Sequence, residues 1–241
     1  MTTRRLDYMT IFIFGTLALL IFFSFATWQS ALVLRQIAIT TNLLLLPGEN
    51  ILRLGMILVC VVLARVSGLS PDQFGWSANQ IGSMALLGLA IGIVIALILP
   101  LLTRWAVARF GKQVYSPIVV LAILPRNRAE WFWVPLALAP AVLLEEVLFR
   151  SLLLGGFASF APPLFLAVVW SVLFGAMHVP QGALGIVVAA ALGLVLSILF
   201  LATASIVAPF IAHYGINLVQ LIWAARDKSL LEWDRGSSGR S

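Results

Sequence analysis

Long apolar runs separated by short polar segments dominate this chain, and that pattern predicts helices rather than strands. A helix needs roughly 20 apolar residues to cross the hydrocarbon core of a bilayer. Tyr8–Trp28 meets that length, and Ile81–Leu102 is the cleanest such run in the first half. Ile51–Val66 is shorter, bounded by Pro47-Gly48 and by the loop Ser67–Ser77. Ala31–Leu46 is apolar but carries Arg35, Gln36 and Asn42, so it reads as a surface helix or as a poor span. Arg104–Arg128 is basic, and its apolar patch Ile118–Leu124 is too short to cross. Four runs follow in the second half: Trp131–Phe157, Pro163–Val179, Ala183–Leu201 and Ala204–Ala225. No internal repeat or long linker divides the chain. Its organisation reads as N-terminal helices and a basic segment over 1–130, a helical core over 131–225, and a polar, flexible tail over 226–241.

Composition strengthens this reading. The chain is 62% hydrophobic and only 10% charged, with mean hydropathy +1.08. A soluble domain of this size needs more polar surface than that. The fold class is therefore an all-α polytopic membrane protein, a bundle of about seven or eight transmembrane helices. A net charge of +6 raises the question of nucleic acid. The basic residues, however, cluster between apolar runs, where they act as topology signals and lipid contacts. Membrane lipids are the expected partners, and nucleic acid is not. The single cysteine, Cys60, allows no disulfide framework.

The positive-inside rule puts Arg104–Arg128 and the Arg226–Lys228 end on the cytoplasmic side, separated by four spans. Arg4 and Arg5 also favour the cytoplasm, which requires an even number of spans before Arg104. Eight spans, with Ala31–Leu46 crossing, satisfy this; seven is the alternative. Tyr8–Trp28 is too long for a signal-peptide core and reads as a retained first span.

Against this apolar background, Leu143-Leu144-Glu145-Glu146-Val147-Leu148-Phe149-Arg150 stands out. Each charge near the centre of a bilayer costs at least ~2.5–3.5 kcal/mol, so three within six residues demand a reason. Glu146 and Arg150 are i,i+4 neighbours with the glutamate first, the favourable order for an ion pair. Glu145 is displaced by about 100° around the helix and faces elsewhere. His178 and His213 are the two histidines of the chain, both in the predicted spans of the second half. Phe174 precedes His178 by one turn, and Asn217 follows His213 by one turn. Ser171, Ser197, Thr203 and Ser205 can satisfy themselves on their own helix backbone.

Intramembrane ionisable groups turn inward and find each other, because lipid offers them no partner. Gathered in one pocket, these residues supply a carboxylate base, a histidine to share its proton, and a histidine and amide able to stabilise an oxyanion. That is the outline of a hydrolase using water on an amide bond.

Glu145-Glu146-x-x-x-Arg150, Phe174-x-x-x-His178 and His213-x-x-x-Asn217, in this order on separate spans, resemble the three motifs of the CAAX protease and bacteriocin-processing family (CPBP, or Abi). The family comprises intramembrane proteases, among them the endopeptidases that trim prenylated CAAX proteins. The resemblance covers roughly Trp131–Ala225. It implies that Glu145 and His178 activate the attacking water, and that His213 and Asn217 stabilise the oxyanion. It further implies that the Glu146–Arg150 ion pair holds the site in shape and that Phe174 lines the pocket.

The expected activity is thus endoproteolysis of a membrane-anchored or lipidated protein, without a cofactor. Zinc held by Glu145, His178 and His213 is the alternative. Against it stand the lack of His-Glu-x-x-His and the asparagine one turn from a histidine. A non-catalytic scaffold or bacteriocin-immunity-type protein on the same fold is the competing reading, and buried histidines bonded only for packing would suit it. A proton-coupled transporter would use Glu and His too, but its usual internal repetition is missing. A prokaryotic cytoplasmic membrane, with the C-terminus cytoplasmic, is the expected location.

Overall fold

The computed structural model describes residues 3–34, 41–77 and 80–227, with side chains from Asp7 onward. The side chains of Arg4 and Arg5, residues Arg35, Gln36 and Lys228, and the Gly236–Ser241 tail lie outside the described residues. The described chain is helical, with no strand: α1 (Thr3–Leu34), α2 (Pro47–Ser67), α3 (Ile81–Phe110), α4 (Ile118–Ile123), α5 (Arg128–Glu146), α6 (Pro163–Ala176), α7 (Gly182–Thr203) and α8 (Val207–Arg226). Helix α5 runs directly into a π-helical segment, Val147–Gly156. Six helices, counting α5 and its π extension as one, are long and apolar enough to cross a membrane; α6 is a shorter apolar helix. The all-helical class expected from the hydropathy pattern is the observed one.

Differences from the sequence reading have local causes. Ala31–Leu46 does not form a helix of its own in its described parts: Ala31–Leu34 completes α1, and Leu43–Leu45 is a 3₁₀ turn. Asn42 caps that turn through the amide of Leu44, while its Nδ2 reaches the carbonyls of Ile123 and Leu124. An asparagine so occupied is buried at a junction rather than turned to lipid. Helix α3 continues eight residues beyond the expected end at Leu102, passing through Pro100 to Phe110. Pro163–Val179 ends earlier, at Ala176, so His178 lies in the turn after α6 rather than within a span.

Two local devices fix the helices that carry the site. Asn127 caps α5 by accepting from the Glu130 amide at 2.9 Å, and its Nδ2 donates back to Glu130 Oε1 at 2.8 Å, a reciprocal cap. Asn42 also donates to Glu130 Oε2 at 3.3 Å, which ties the chain before α2 to the start of α5. Helix α8 is seated on α3 through small residues. A Cβ on Gly88 would collide with the Ala208 carbonyl, and one on Gly92 would sit 2.8 Å from the Ala212 carbonyl. Close backbone approach of this kind is how helices pack when lipid supplies no hydrophobic drive. Ala212 immediately precedes His213, so this seat sets the position of that histidine.

The main core joins α1, α2, the π segment and α6, with Phe12, Met56, Cys60, Leu148, Leu152 and Phe174 among its buried members. Every residue from Val147 to Gly156 is buried. Ser151 in this segment donates to the Phe74 carbonyl at 2.7 Å and accepts from Trp76 Nε1 at 3.0 Å, which pins the loop between α2 and α3 against it. Ser171 and Thr203 satisfy their hydroxyls on the carbonyls of Ala167 and Leu199, one turn back on their own helices.

Candidate active site

The end of α5, the π segment, the end of α6 and the middle of α8 converge on one cluster of ionisable side chains. Glu146 is fully buried and Arg150 is 1% exposed. Their spacing brings Arg150 Nη1 to Glu146 Oε1 at 3.1 Å. The second guanidinium arm, Nη2, donates to the Gly193 carbonyl on α7 at 3.1 Å. The guanidinium also lies 5.1 Å from the centre of the Phe174 ring, a favourable place for a desolvated cation. Phe174 in turn packs edge-on against Phe149 and lies 4.8 Å from the His178 ring and 6.0 Å from that of His213.

His213 connects the two glutamates. Its Nδ1 lies 2.7 Å from Glu146 Oε1, and its Nε2 faces Glu145 Oε2 at 3.7 Å. A carboxylate paired with arginine is an acceptor, so Nδ1 carries a proton and donates to Glu146. That bond fixes the ring, and it leaves Nε2 aimed at Glu145. The 3.7 Å separation is too long for a direct hydrogen bond. The Glu145 side chain is 28% exposed, in contrast with the sealed Glu146, as their 100° separation around α5 requires. Glu146 Oε2 and Arg150 Nε have no hydrogen-bond partner among the described residues.

His178 Nδ1 lies 2.7 Å from the Phe174 carbonyl. A carbonyl only accepts, so Nδ1 donates and the neutral ring keeps its lone pair on Nε2. Glu145 and His213 both act on His178 electrostatically. The structure therefore gathers Glu145, Glu146, Arg150, Phe174, His178 and His213. Asn217 lies one turn beyond His213 on α8 and is half-buried, but no hydrogen bond joins it to the others. Among the described residues, no group of three or more His, Cys, Asp or Glu side chains is placed to hold a metal ion.

Sequence reasoning missed two features. One is the Gly193 carbonyl, for which α7, with no ionisable residue, gives no signal. The other is Arg53 on α2, whose side chain pairs with Glu49 at 3.4 Å. An arginine two residues inside an apolar run was the available signal.

Residues 127–219 match one family model, Rce1-like, described as type II CAAX prenyl endopeptidase Rce1-like. The match contains all three motifs and the whole cluster, whereas α1 to α4 lie outside it. Among curated proteins and solved structures, none matches the chain.

Proposed function

From the match of residues 127–219 to the Rce1-like family model, and from six helices among the described residues long and apolar enough to cross a membrane, we propose that the protein is an intramembrane endopeptidase in which Glu145 activates water. The observation that carries the reading is the division of labour between adjacent carboxylates. Glu146 is sealed against Arg150 and His213, while Glu145, partly exposed, faces His213 Nε2. A general base must reach the water it deprotonates, and of the two only Glu145 is accessible.

Glu145 takes a proton from water, with His178 Nε2 as the neighbouring acceptor, and the hydroxide attacks the scissile carbonyl carbon. Negative charge develops on the carbonyl oxygen. His213, doubly protonated, donates from Nε2, and the Asn217 amide supplies a second donor. Collapse of the intermediate breaks the carbon–nitrogen bond, and the proton held by Glu145 passes to the leaving amine. With His213 charged, the cluster of Glu145, Glu146, Arg150 and His213 sums to zero, which is the condition a low-dielectric site favours. Arg150 and Glu146 act by orienting His213, and Phe174 by packing against both histidines. The substrate is a membrane-associated protein carrying a lipid-modified C-terminal segment, and the reaction takes place at the cytoplasmic side of a prokaryotic membrane.

The test is cleavage of farnesylated C-terminal peptides by the purified, detergent-solubilised protein. Wild type cleaves, Glu145→Gln and His178→Ala do not, and a zinc chelator leaves the wild-type rate unchanged. Chelator-sensitive cleavage rescued by zinc would replace the mechanism with a metal-dependent one. Folded Glu145 and His178 variants that cleave like wild type would remove the catalytic role from this cluster. No cleavage of any such peptide by wild type would favour the non-catalytic scaffold.

A further inference from the structure

His178 is the one ionisable member of the cluster that no helix carries. It stands just past the end of α6, at φ −95° and ψ 18°, away from α-helical values. Three bonds tie it to its own turn. Its amide donates to the Gly175 carbonyl at 2.9 Å, its Nδ1 donates to the Phe174 carbonyl at 2.7 Å, and its carbonyl accepts from the Gln181 amide at 2.9 Å. These bonds fix the ring relative to the turn. The turn itself joins α6 at one end, and its other end, at Gln181, needs a separate anchor.

That anchor comes from the connection between α3 and α5, which lies outside the Rce1-like match. The Ser116 amide donates to the Gln181 carbonyl at 2.9 Å, and α4 packs on the Val179–Gln181 turn. Gly182, the next residue, sits at φ +81°, a conformation open to glycine and costly for a residue with a side chain. A Cβ there would come 2.8 Å from the Val114 carbonyl, so the missing side chain is what lets the two backbones meet. The far end of the connection is fixed as well: Asn42 donates to the carbonyls of Ile123 and Leu124 at 3.0 and 3.3 Å. Val114 to Leu124 is thus a strap pinned at both ends, and one pin bears on the turn that carries His178.

Resting on the endopeptidase reading above, we infer that Ser116 and Gly182 are positioning residues for His178: the Ser116 amide and the bare backbone of Gly182 hold the turn so that His178 Nε2 is placed to share the proton that Glu145 takes from water. The basic segment between α3 and α5 acts on the reaction through this clamp. The contact is backbone to backbone, so among side chains only the glycine marks it in the sequence.

The test compares Ser116→Pro, which deletes the amide donor, with Ser116→Ala, which keeps it. Tyr115 is already extended, at φ −134° and ψ 137°, as a residue before proline must be. Gly182→Ala breaks the same clamp from the other side. Each variant of the full chain is purified in detergent with nitrogen-15-labelled histidine, and the imidazole signals of the two histidines are assigned with His178→Ala. Ser116→Pro and Gly182→Ala shift the His178 signals and leave those of His213 in place, while Ser116→Ala moves neither. On farnesylated peptides the same two variants lower kcat by about 10–10²-fold, the scale of a misplacement near 1 Å, with KM and Tm close to wild type. His178 signals unmoved in a folded Ser116→Pro or Gly182→Ala protein overturn the inference. So do equal shifts of both histidines with a fall in Tm, or loss of folding in both variants, since the strap would then support the whole bundle. Failure of the endopeptidase reading is separable: it shows as cleavage that is absent or insensitive to Glu145, whatever the imidazole signals do.

Discussion

The region around Glu146 and the region around Glu145 lie on one turn of α5 and face opposite surroundings. Glu146 accepts from Arg150 and from His213 on one oxygen and is closed off from solvent. Glu145 keeps partial exposure and, among the described residues, makes no hydrogen bond or ion pair closer than its 3.7 Å approach to His213 Nε2. The buried region spends its charges on one another, and the open region keeps its carboxylate free. His213 belongs to both and transmits the order of the first to the second. In the proposed mechanism the reactive carboxylate thus rests on a second carboxylate that does not react.

The largest effect should come from breaking the buried side. Arg150→Leu leaves the fully buried Glu146 without its arginine and with His213 as its one remaining polar partner, at a cost of up to about 3–5 kcal/mol. Thermal unfolding in detergent should show a large fall in Tm, and cleavage should vanish with it. An unchanged Tm would mean that the ion pair contributes nothing to stability. The pair can also be removed whole: Glu146→Gln with Arg150→Met should destabilise less than Arg150→Leu alone, because no buried charge is orphaned.

Breaking the open side should separate activity from stability. Glu145→Gln is expected to lower the cleavage rate by about 10²–10⁴-fold, the range for loss of a general base, while Tm stays near the wild-type value. A matching fall in Tm would make Glu145 part of the buried network and dissolve the contrast. Gly92→Val tests the link between the two regions from behind. Its side chain meets the Ala212 backbone, overpacks the α3–α8 seat by about 1–3 kcal/mol, and should reduce cleavage by displacing His213. Unaltered cleavage would show that α8 is positioned from elsewhere. The smallest effect is a control on the side of the π segment that holds the loop between α2 and α3. Ser151→Ala removes the bonds to Phe74 and Trp76, with an expected loss of about 1 kcal/mol and a change in tryptophan fluorescence. Cleavage should persist; its loss would extend the functional network along the π segment.

Much of this was legible from residues alone. Helix class and most span positions follow from apolar run length, because a chain with so few polar residues has no other way to satisfy its backbone in lipid. The convergence of Glu145, His178 and His213 was legible for the same reason, since isolated ionisable groups in lipid have to meet. Boundaries were less legible where local and tertiary preferences conflict. Pro100 marks a helix end by propensity, yet α3 continues through it. Ala31–Leu46 is apolar enough to suggest a crossing, yet Asn42 is engaged with the carbonyls before α5.

By itself the sequence determined an all-helical membrane protein, the i,i+4 pairing of Glu146 with Arg150, and the divergence of Glu145 from it, because helical periodicity and the cost of charge in lipid act locally. Only the tertiary structure decided that His213 binds Glu146 through Nδ1 and that the Gly193 carbonyl takes the second arm of Arg150. Those are contacts between distant segments, and they depend on which helix faces pack together. Periodicity says which residues share a face; it does not say which face they meet.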